Sequence, residues 1–172
     1  LKAGDPMDSQ TQLAPLSSQR AADNLKTQLA KAIEHGATAV EVGEKVPAKG
    51  AFVQPTILTN VTPDNPAYYE EFFGPVSMII KAKDDEDAIR IANDSHFGLG
   101  GSVFTANQDY GYQLAKKITT GMVFVNHPTM VKADLPFGGV KRSGYGRELL
   151  GLGLKEFVNH KLIDIVDIDA PF

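Results

Sequence analysis

The sequence contains no cysteine. That excludes a disulfide framework, a thiolate metal site and a cysteine nucleophile within its 172 residues. Basic charge is scarce as well. Lys and Arg total 17 against 21 Asp and Glu, a formal net charge of -4. No long run of Lys or Arg occurs, and the net charge argues against a nucleic-acid binder, which usually shows a basic face. No stretch of roughly 18 apolar residues is present to cross a membrane. Residues 1–8 are polar and lack the apolar core of a signal peptide. We therefore expect a soluble, cytoplasmic protein. No internal repeat and no low-complexity segment is found.

Familiar site motifs are also missing. The glycine-rich stretch 138–146 invites a phosphate-loop reading, and Gly139 and Gly144 have the right separation. No Lys-Ser or Lys-Thr follows Gly144, however. Gly144-Tyr145-Gly146 and Gly98-Leu99-Gly100 each lack the third glycine of a dinucleotide fingerprint. The four histidines, His35, His96, His127 and His160, show no metal-ligand spacing. No Gly-x-Ser-x-Gly elbow of a serine hydrolase occurs.

What is present is ordinary globular composition. Hydrophobic residues make up 42% and charged residues 22%, enough apolar surface for one sizeable core. The chain begins with Leu1 and opens in a loop-like phrase, Lys2-Ala3-Gly4-Asp5-Pro6. We read this as a cut end within a longer protein.

The pattern of residues predicts the elements. Ser17 and Ser18 are good helix N-caps. Ala21, Leu25, Leu29, Ala32 and Ile33 follow at helical spacing, and Gly36 stands where a helix-ending glycine belongs. Residues 38–42 read as a short strand. Thr56, Ile57, Leu58 and Val61 read as a second strand, stopped by Pro63-Asp64-Asn65-Pro66. One helical turn is expected over 67–73 and a covered strand over 76–80. Asp84 caps the next helix, whose core face is Ala88, Ile89, Ile91 and Ala92. A strand at 102–104, a helix at 109–118 and a buried strand at 122–125 follow. This alternation of strand and helix favours a mostly parallel sheet with flanking helices, an α/β fold. After Asn126 a long irregular stretch runs to Gly146, of a length that is usually functional or disordered. Residues 147–158 read as a helix. Leu162, Ile163, Ile165, Val166 and Ile168 alternate with polar residues, which predicts a terminal strand with no neighbour to pair with.

Three phrases go further. They are Glu70-Glu71-Phe72-Phe73-Gly74-Pro75-Val76, Gly121-Met122-Val123-Phe124-Val125-Asn126, and the run Pro136-Phe137-Gly138-Gly139-Val140-Lys141-Arg142-Ser143-Gly144-Tyr145-Gly146-Arg147-Glu148. In order and spacing they resemble the C-terminal motifs of the aldehyde dehydrogenase superfamily. Pro55-Thr56-Ile57-Leu58, Ala92-Asn93-Asp94 and Phe97-Gly98-Leu99 fit the same pattern. The resemblance covers nearly the whole chain. Ala14-Pro15-Leu16 stands where many members have Gly-Pro-Leu, Val42-Gly43 where Gly-Gly is frequent, and Phe72 where an aliphatic residue is usual. The general phrasing is most similar to the succinate-semialdehyde dehydrogenase-like branch.

The resemblance implies an NAD(P)-dependent oxidation of an aldehyde. In the family a cysteine thiolate attacks the carbonyl, hydride passes to NAD or NADP, and water hydrolyses the thioester. The nucleophile, the hydrolytic glutamate and the dinucleotide-binding domain lie upstream of the matching segment. No catalytic residue is therefore assigned here, and the chain should be inactive alone. Its implied domains are a partial catalytic domain over 1–160 and an oligomerisation arm over 161–172.

The implied site residues are few. Glu71 matches the glutamate that binds the ribose beside the nicotinamide, a task for an acceptor of two vicinal hydroxyls. Without the motif, Glu70 and Glu71 read as solvated turn residues. Phe73 matches an aromatic beside the same part of the cofactor. Phe137 matches a residue lining the aldehyde tunnel; alone it reads as a core aromatic. Lys132 is a candidate partner for a substrate carboxylate such as that of succinate semialdehyde, against the plain reading of a solvated loop lysine. Asn126 matches an asparagine that holds the site's backbone, where a lone strand-end Asn is a turn former. The terminal strand matches a segment that joins a sheet across subunits, implying a dimer or tetramer. No metal, membrane or nucleic-acid partner is implied. Two other readings remain open: a naturally truncated, non-catalytic module of the same fold, and an unrelated α/β ligand-binding domain.

Overall fold

The computed structural model describes residues 1–171 and divides the chain into two compact units, Leu1–Lys83 and Asp84–Phe172.

The first unit is built on helix α1 (Gln19–Glu34). Ser18 caps it, its hydroxyl oxygen accepting from the Ala21 N–H at 3.1 Å. Its end is a Schellman turn. The Gly36 N–H donates to the Ile33 carbonyl and the Ala37 N–H to the Ala32 carbonyl, both at 3.0 Å. Gly36 takes φ +96°, which only glycine adopts without strain. Strands β1 (Thr38–Glu41) and β2 (Thr56–Thr59) pair antiparallel. Asn60, at φ +58°, ends β2. Val61 is therefore a buried residue beyond the strand, not part of it. A 3-10 turn over Pro66–Tyr69, shorter than the turn expected at 67–73, leads into β3 (Val76–Met78), which pairs parallel with β2.

Ala22, Leu25 and Ala32 of α1 close over Leu58 of β2 and Val76 of β3, with Val53, Val61 and Ala67 around them. Asn65 is the polar member of this core, at 1% exposure. Its Nδ2 donates to the carbonyls of Ala32 (2.9 Å) and His35 (3.2 Å), and its Oδ1 accepts from the Ala67 N–H at 3.0 Å. One side chain thus satisfies the end of α1 and the start of the 3-10 turn.

The second unit opens with α2 (Asp85–Asn93), capped by Asp84, whose Oδ1 accepts from the Asp87 N–H at 2.8 Å. Strand β4 (Phe97–Gly98), β5 (Gly100–Val103), α3 (Gln108–Ala115), β6 (Met122–Val125), β7 (Val140–Lys141) and α4 (Leu150–Lys155) follow. β5 and β6 are parallel, with α3 as the crossover between them. β4 and β7 are antiparallel.

Four expectations need correction. The sheet is not mostly parallel. The β2–β3 and β5–β6 pairs are parallel, but β1–β2 and β4–β7 are antiparallel, and the strands form three small sheets. The helix expected over 147–158 shrinks to Leu150–Lys155, because Glu148 is extended and pairs with Phe137 instead. Residues 161–168 form no strand. A strand exists only through a ladder to a neighbour, and among the described residues this segment has none. Its side chains stand exposed, Leu162 at 90% and Ile168 at 100%. The expected face of α2 is also thinner than its pattern: Ile89 and Ile91 are half-buried, while Ala88 and Ala92 are exposed. Indeed every buried apolar side chain among the described residues belongs to the first unit; in the second only Gly98, Gly111 and Gly139 are buried.

Candidate functional site

Glu71 and Phe73 stand in the first unit, on the segment between the 3-10 turn and β3. That segment is tied at both ends. The Glu70 N–H donates to the Ala67 carbonyl at 3.2 Å, and the Thr56 N–H donates to the Pro75 carbonyl at 2.9 Å. Phe72 turns inward against the core. Its neighbours on either side therefore point out. The Glu71 side chain is exposed, and its carboxylate makes no hydrogen bond or ion pair among the described residues. Its carbonyl accepts from Gln28 Nε2 at 3.4 Å, which pins the backbone to α1. Phe73 is 81% exposed, a large apolar ring in water. It borders a hollow of about 480 Å³ on α1, lined also by Asn24, Leu25, Gln28 and Lys31.

This donor set suits a nucleotide sugar and its base. An unengaged carboxylate offers acceptors to vicinal hydroxyls, and an uncovered aromatic face two residues away offers a flat apolar contact. The residues present fit such a group. Gln28 and Lys31 were not singled out from the sequence, because on α1 they read only as the polar face of an amphipathic helix.

Phe137 and Lys132 stand in the second unit. Phe137 is half-buried. It forms an antiparallel bridge with Glu148: the Phe137 N–H donates to the Glu148 carbonyl at 3.1 Å, and the Glu148 N–H returns to Phe137 at 2.7 Å. Its ring lines a hollow of about 500 Å³ together with Tyr145, Arg147, Glu156 and Phe157. Lys132 is exposed on the loop between β6 and β7 and does not line that hollow. Its ammonium has no partner among the described residues. The structure thus places Phe137 at a cavity and Lys132 on open surface.

The glycine-rich stretch is fastened by close backbone contacts and hydrogen bonds. Gly138 packs its carbonyl against Gly121, at the start of β6, leaving no room there for a side chain. The Gly121 N–H donates to the Gly98 carbonyl at 2.9 Å, and the Gly98 N–H donates to Ser143 Oγ at 3.0 Å. Lys141 Nζ donates to the carbonyls of Asn93 (2.8 Å) and Ser95 (2.9 Å), at the end of α2. These fastenings were legible in the sequence only as motif letters. Asn126 is different. It ends β6 as expected and binds the backbone of Thr105.

Comparison with known proteins decides the family. A profile described as "Aldehyde dehydrogenase family" matches residues 1–163. The chain belongs to the aldehyde dehydrogenase family. Among curated members, a protein of Deinococcus radiodurans named succinate-semialdehyde dehydrogenase, NADP(+), is 53% identical over 160 residues, covering 93% of this chain and 34% of that one. A succinate semialdehyde dehydrogenase, NAD(P)+, of Escherichia coli strain K12 is 44% identical over 92% of this chain and 34% of its own length. Among solved structures, succinic semialdehyde dehydrogenase of Streptococcus pyogenes in complex with NADP+ superposes with a TM-score of 0.91 at 51% identity, covering 96% of this chain and 36% of that one. A salicylaldehyde dehydrogenase of Pseudomonas putida G7 superposes with a TM-score of 0.88 at 33% identity, covering all of this chain and 35% of that one. This aldehyde dehydrogenase chain thus spans about a third of the length of the relatives it matches. Among the described residues no helix is long and apolar enough to cross a membrane, and no group of three or more His, Cys, Asp or Glu residues is placed to hold a metal ion.

Proposed function

We propose that this chain is the C-terminal part of an NAD(P)-dependent aldehyde dehydrogenase that oxidises an aldehyde to a carboxylate through a cysteine thioester. Succinate semialdehyde is the substrate we favour, on the names of the curated relatives reported above. The chain has no cysteine, so the nucleophile belongs to the rest of the enzyme, and alone the chain carries out no oxidation by this route. We assign residues 1–160 to the catalytic domain and 161–172 to an oligomerisation arm, of which Phe172 lies outside the described residues. The apolar alternation of Leu162, Ile163, Ile165, Val166 and Ile168, all exposed here, suits a strand completed by another subunit's sheet.

The observation that carries the reading is the pair of uncovered groups at Glu71 and Phe73. An exposed Phe beside an unpartnered Glu has no role in the unit's own core. When bound, the dinucleotide supplies the hydride acceptor. Glu71 would hold its ribose through the carboxylate oxygens, and Phe73 would flank the adjoining ring. Phe137 would line the aldehyde path, and Lys132 would meet a substrate carboxylate.

Glu71→Gln in the complete enzyme tests this. The amide keeps the shape but loses the charge-assisted bonds, worth about 1.5 kcal/mol or roughly tenfold. We expect that loss in hydride transfer or in the KM for the dinucleotide. Unchanged values for both would reject the assignment.

A further inference from the structure

Arg147 immediately follows the glycine-rich stretch 138–146, and its side chain turns back into it. The Nη1 atom carries two N–H groups, and both are used. One donates to the Gly139 carbonyl at 2.8 Å and the other to the Gly146 carbonyl at 2.6 Å. One guanidinium nitrogen thus joins two carbonyls seven residues apart in the chain. The stem of Arg147 runs against Gly138, where an added Cβ would stand 2.9 Å from Arg147 Cδ. The next residue, Glu148, pairs with Phe137 in the two-way bridge already described. The backbone of Arg147 is fastened in turn, its N–H donating to Glu156 Oε1 at 3.2 Å.

Phe137, Gly138 and Gly139 are therefore each held by residues 147–148. The Gly139 carbonyl is buried with its residue. Losing the Arg147 donors would leave that acceptor unpaired and free the mouth of the loop to open. The first residue to move would be Phe137, because among the described residues its strand-like partner is Glu148, the next residue after Arg147.

We infer that Arg147 is a positioning residue that sets where the Phe137 ring stands, and so sets which aldehydes the enzyme prefers. This rests on the reading of Phe137 as an aldehyde-lining residue. In this role the guanidinium acts through the loop, its Nη1 spent on the two backbone carbonyls of Gly139 and Gly146.

The test uses the complete enzyme with a series of aldehydes that differ only in chain length. Arg147→Met keeps the stem and removes the donors. The ratio of kcat/KM between long and short aldehydes should shift by about tenfold, the scale at which a pocket senses one methylene. The KM for the dinucleotide should change less than about twofold, since uniform loss of folded enzyme lowers kcat without moving either ratio. If Arg147→Met does not fold, Arg147→Lys is read in the same way, because it keeps the charge and loses the two-headed planar donor. A shifted ratio supports the inference. A proportional loss across all aldehydes overturns it. Phe137→Leu separates the two claims. If it leaves the ratio unchanged, the reading of Phe137 fails and the inference falls with it. If it shifts the ratio while Arg147 variants do not, the reading stands and only the inference fails.

Discussion

The Asn126 side chain bonds the backbone of Thr105 in both directions: Oδ1 accepts from the Thr105 N–H and Nδ2 donates to the Thr105 carbonyl, each at 2.8 Å. The amide of Asn126 thereby continues the parallel pairing of β5 and β6 one step past the strand ends, where Asn126 N–H itself donates to the Val103 carbonyl at 2.7 Å. Asn suits the place because β6 ends with φ +58°, and Asn tolerates that left-handed angle better than most residues. The bond propagates. Thr105 Oγ1 accepts from the Asn107 N–H, and Asn107 caps α3.

Asn126→Ala removes both bonds and puts a Cβ in a left-handed conformation. We expect a loss of about 2 kcal/mol, less than two buried bonds would give because the site is exposed. Asn126→Gly loses the same bonds without the strain and should cost roughly 1 kcal/mol less. The check is the denaturant midpoint at unchanged slope. Equal losses for the two variants would remove the strain argument.

Such relationships explain what the sequence could and could not tell. Local chemistry was readable. Ser18 and Asp84 cap helices where their residue types predict, Gly36 ends α1, and Asn126 ends β6. The motif letters around Glu71 and Phe137 pointed to the family that the comparisons establish. Long-range partners were not readable. Phe97 and Gly98 pair with Lys141 and Val140 across more than forty positions, and two-residue strands carry no periodicity. β1 and β2 pair antiparallel across the long 42–55 connection, a course that neither strand's own pattern announces. At 161–168 the alternation was present, but pairing needs a neighbour that this segment does not have among the described residues. In the site, Arg147 was a letter in a motif. Its work depends on two carbonyls that only the folded loop brings together.

Asn65 gives a sharper stability prediction. It is buried and makes three bonds, two to the end of α1 and one to the Ala67 N–H. Asn65→Leu has similar bulk but leaves those backbone groups unpaired in the core. We expect a loss of about 3 kcal/mol. Urea unfolding monitored by circular dichroism would measure it. A loss under about 1 kcal/mol would show that the helix end relaxes to solvent and needs no side-chain cap.

Tyr110 predicts a pH effect in the second unit. Its hydroxyl donates to Asp85 Oδ2 at 2.6 Å, joining the start of α3 to the start of α2. That bond raises the phenol above its ordinary 10.0, with the Asp85 and Glu86 charges acting the same way. A group raised on folding adds stability that is fully present below its unfolded pKa and is lost as pH rises through the folded value. The contribution should thus be flat at neutral pH and disappear above about pH 10. Ultraviolet titration of phenolate, wild type minus Tyr110→Phe, should show one tyrosine ionising on the alkaline side of 10.0. A difference curve centred at or below that value would mean the tether is not formed in solution.

Lys132 offers the most direct test of substrate class. Its ammonium is exposed and unpartnered among the described residues, on the loop that leads to Phe137. If it meets a substrate carboxylate, the pair forms near water and is weak. Exposed ion pairs are worth up to about 1 kcal/mol. Lys132→Ala in the complete enzyme should then raise the KM for a carboxylate-bearing aldehyde by up to about fivefold, and leave a neutral aldehyde of equal length untouched. Salt supplies a second readout. Raising the ionic strength should erode the wild-type preference for the charged aldehyde and have little effect on the variant, because screening acts only on the charge that is still there. Equal losses for both aldehydes, or a preference indifferent to salt, would return Lys132 to the ordinary role of a solvated loop lysine and move carboxylate recognition to another part of the enzyme.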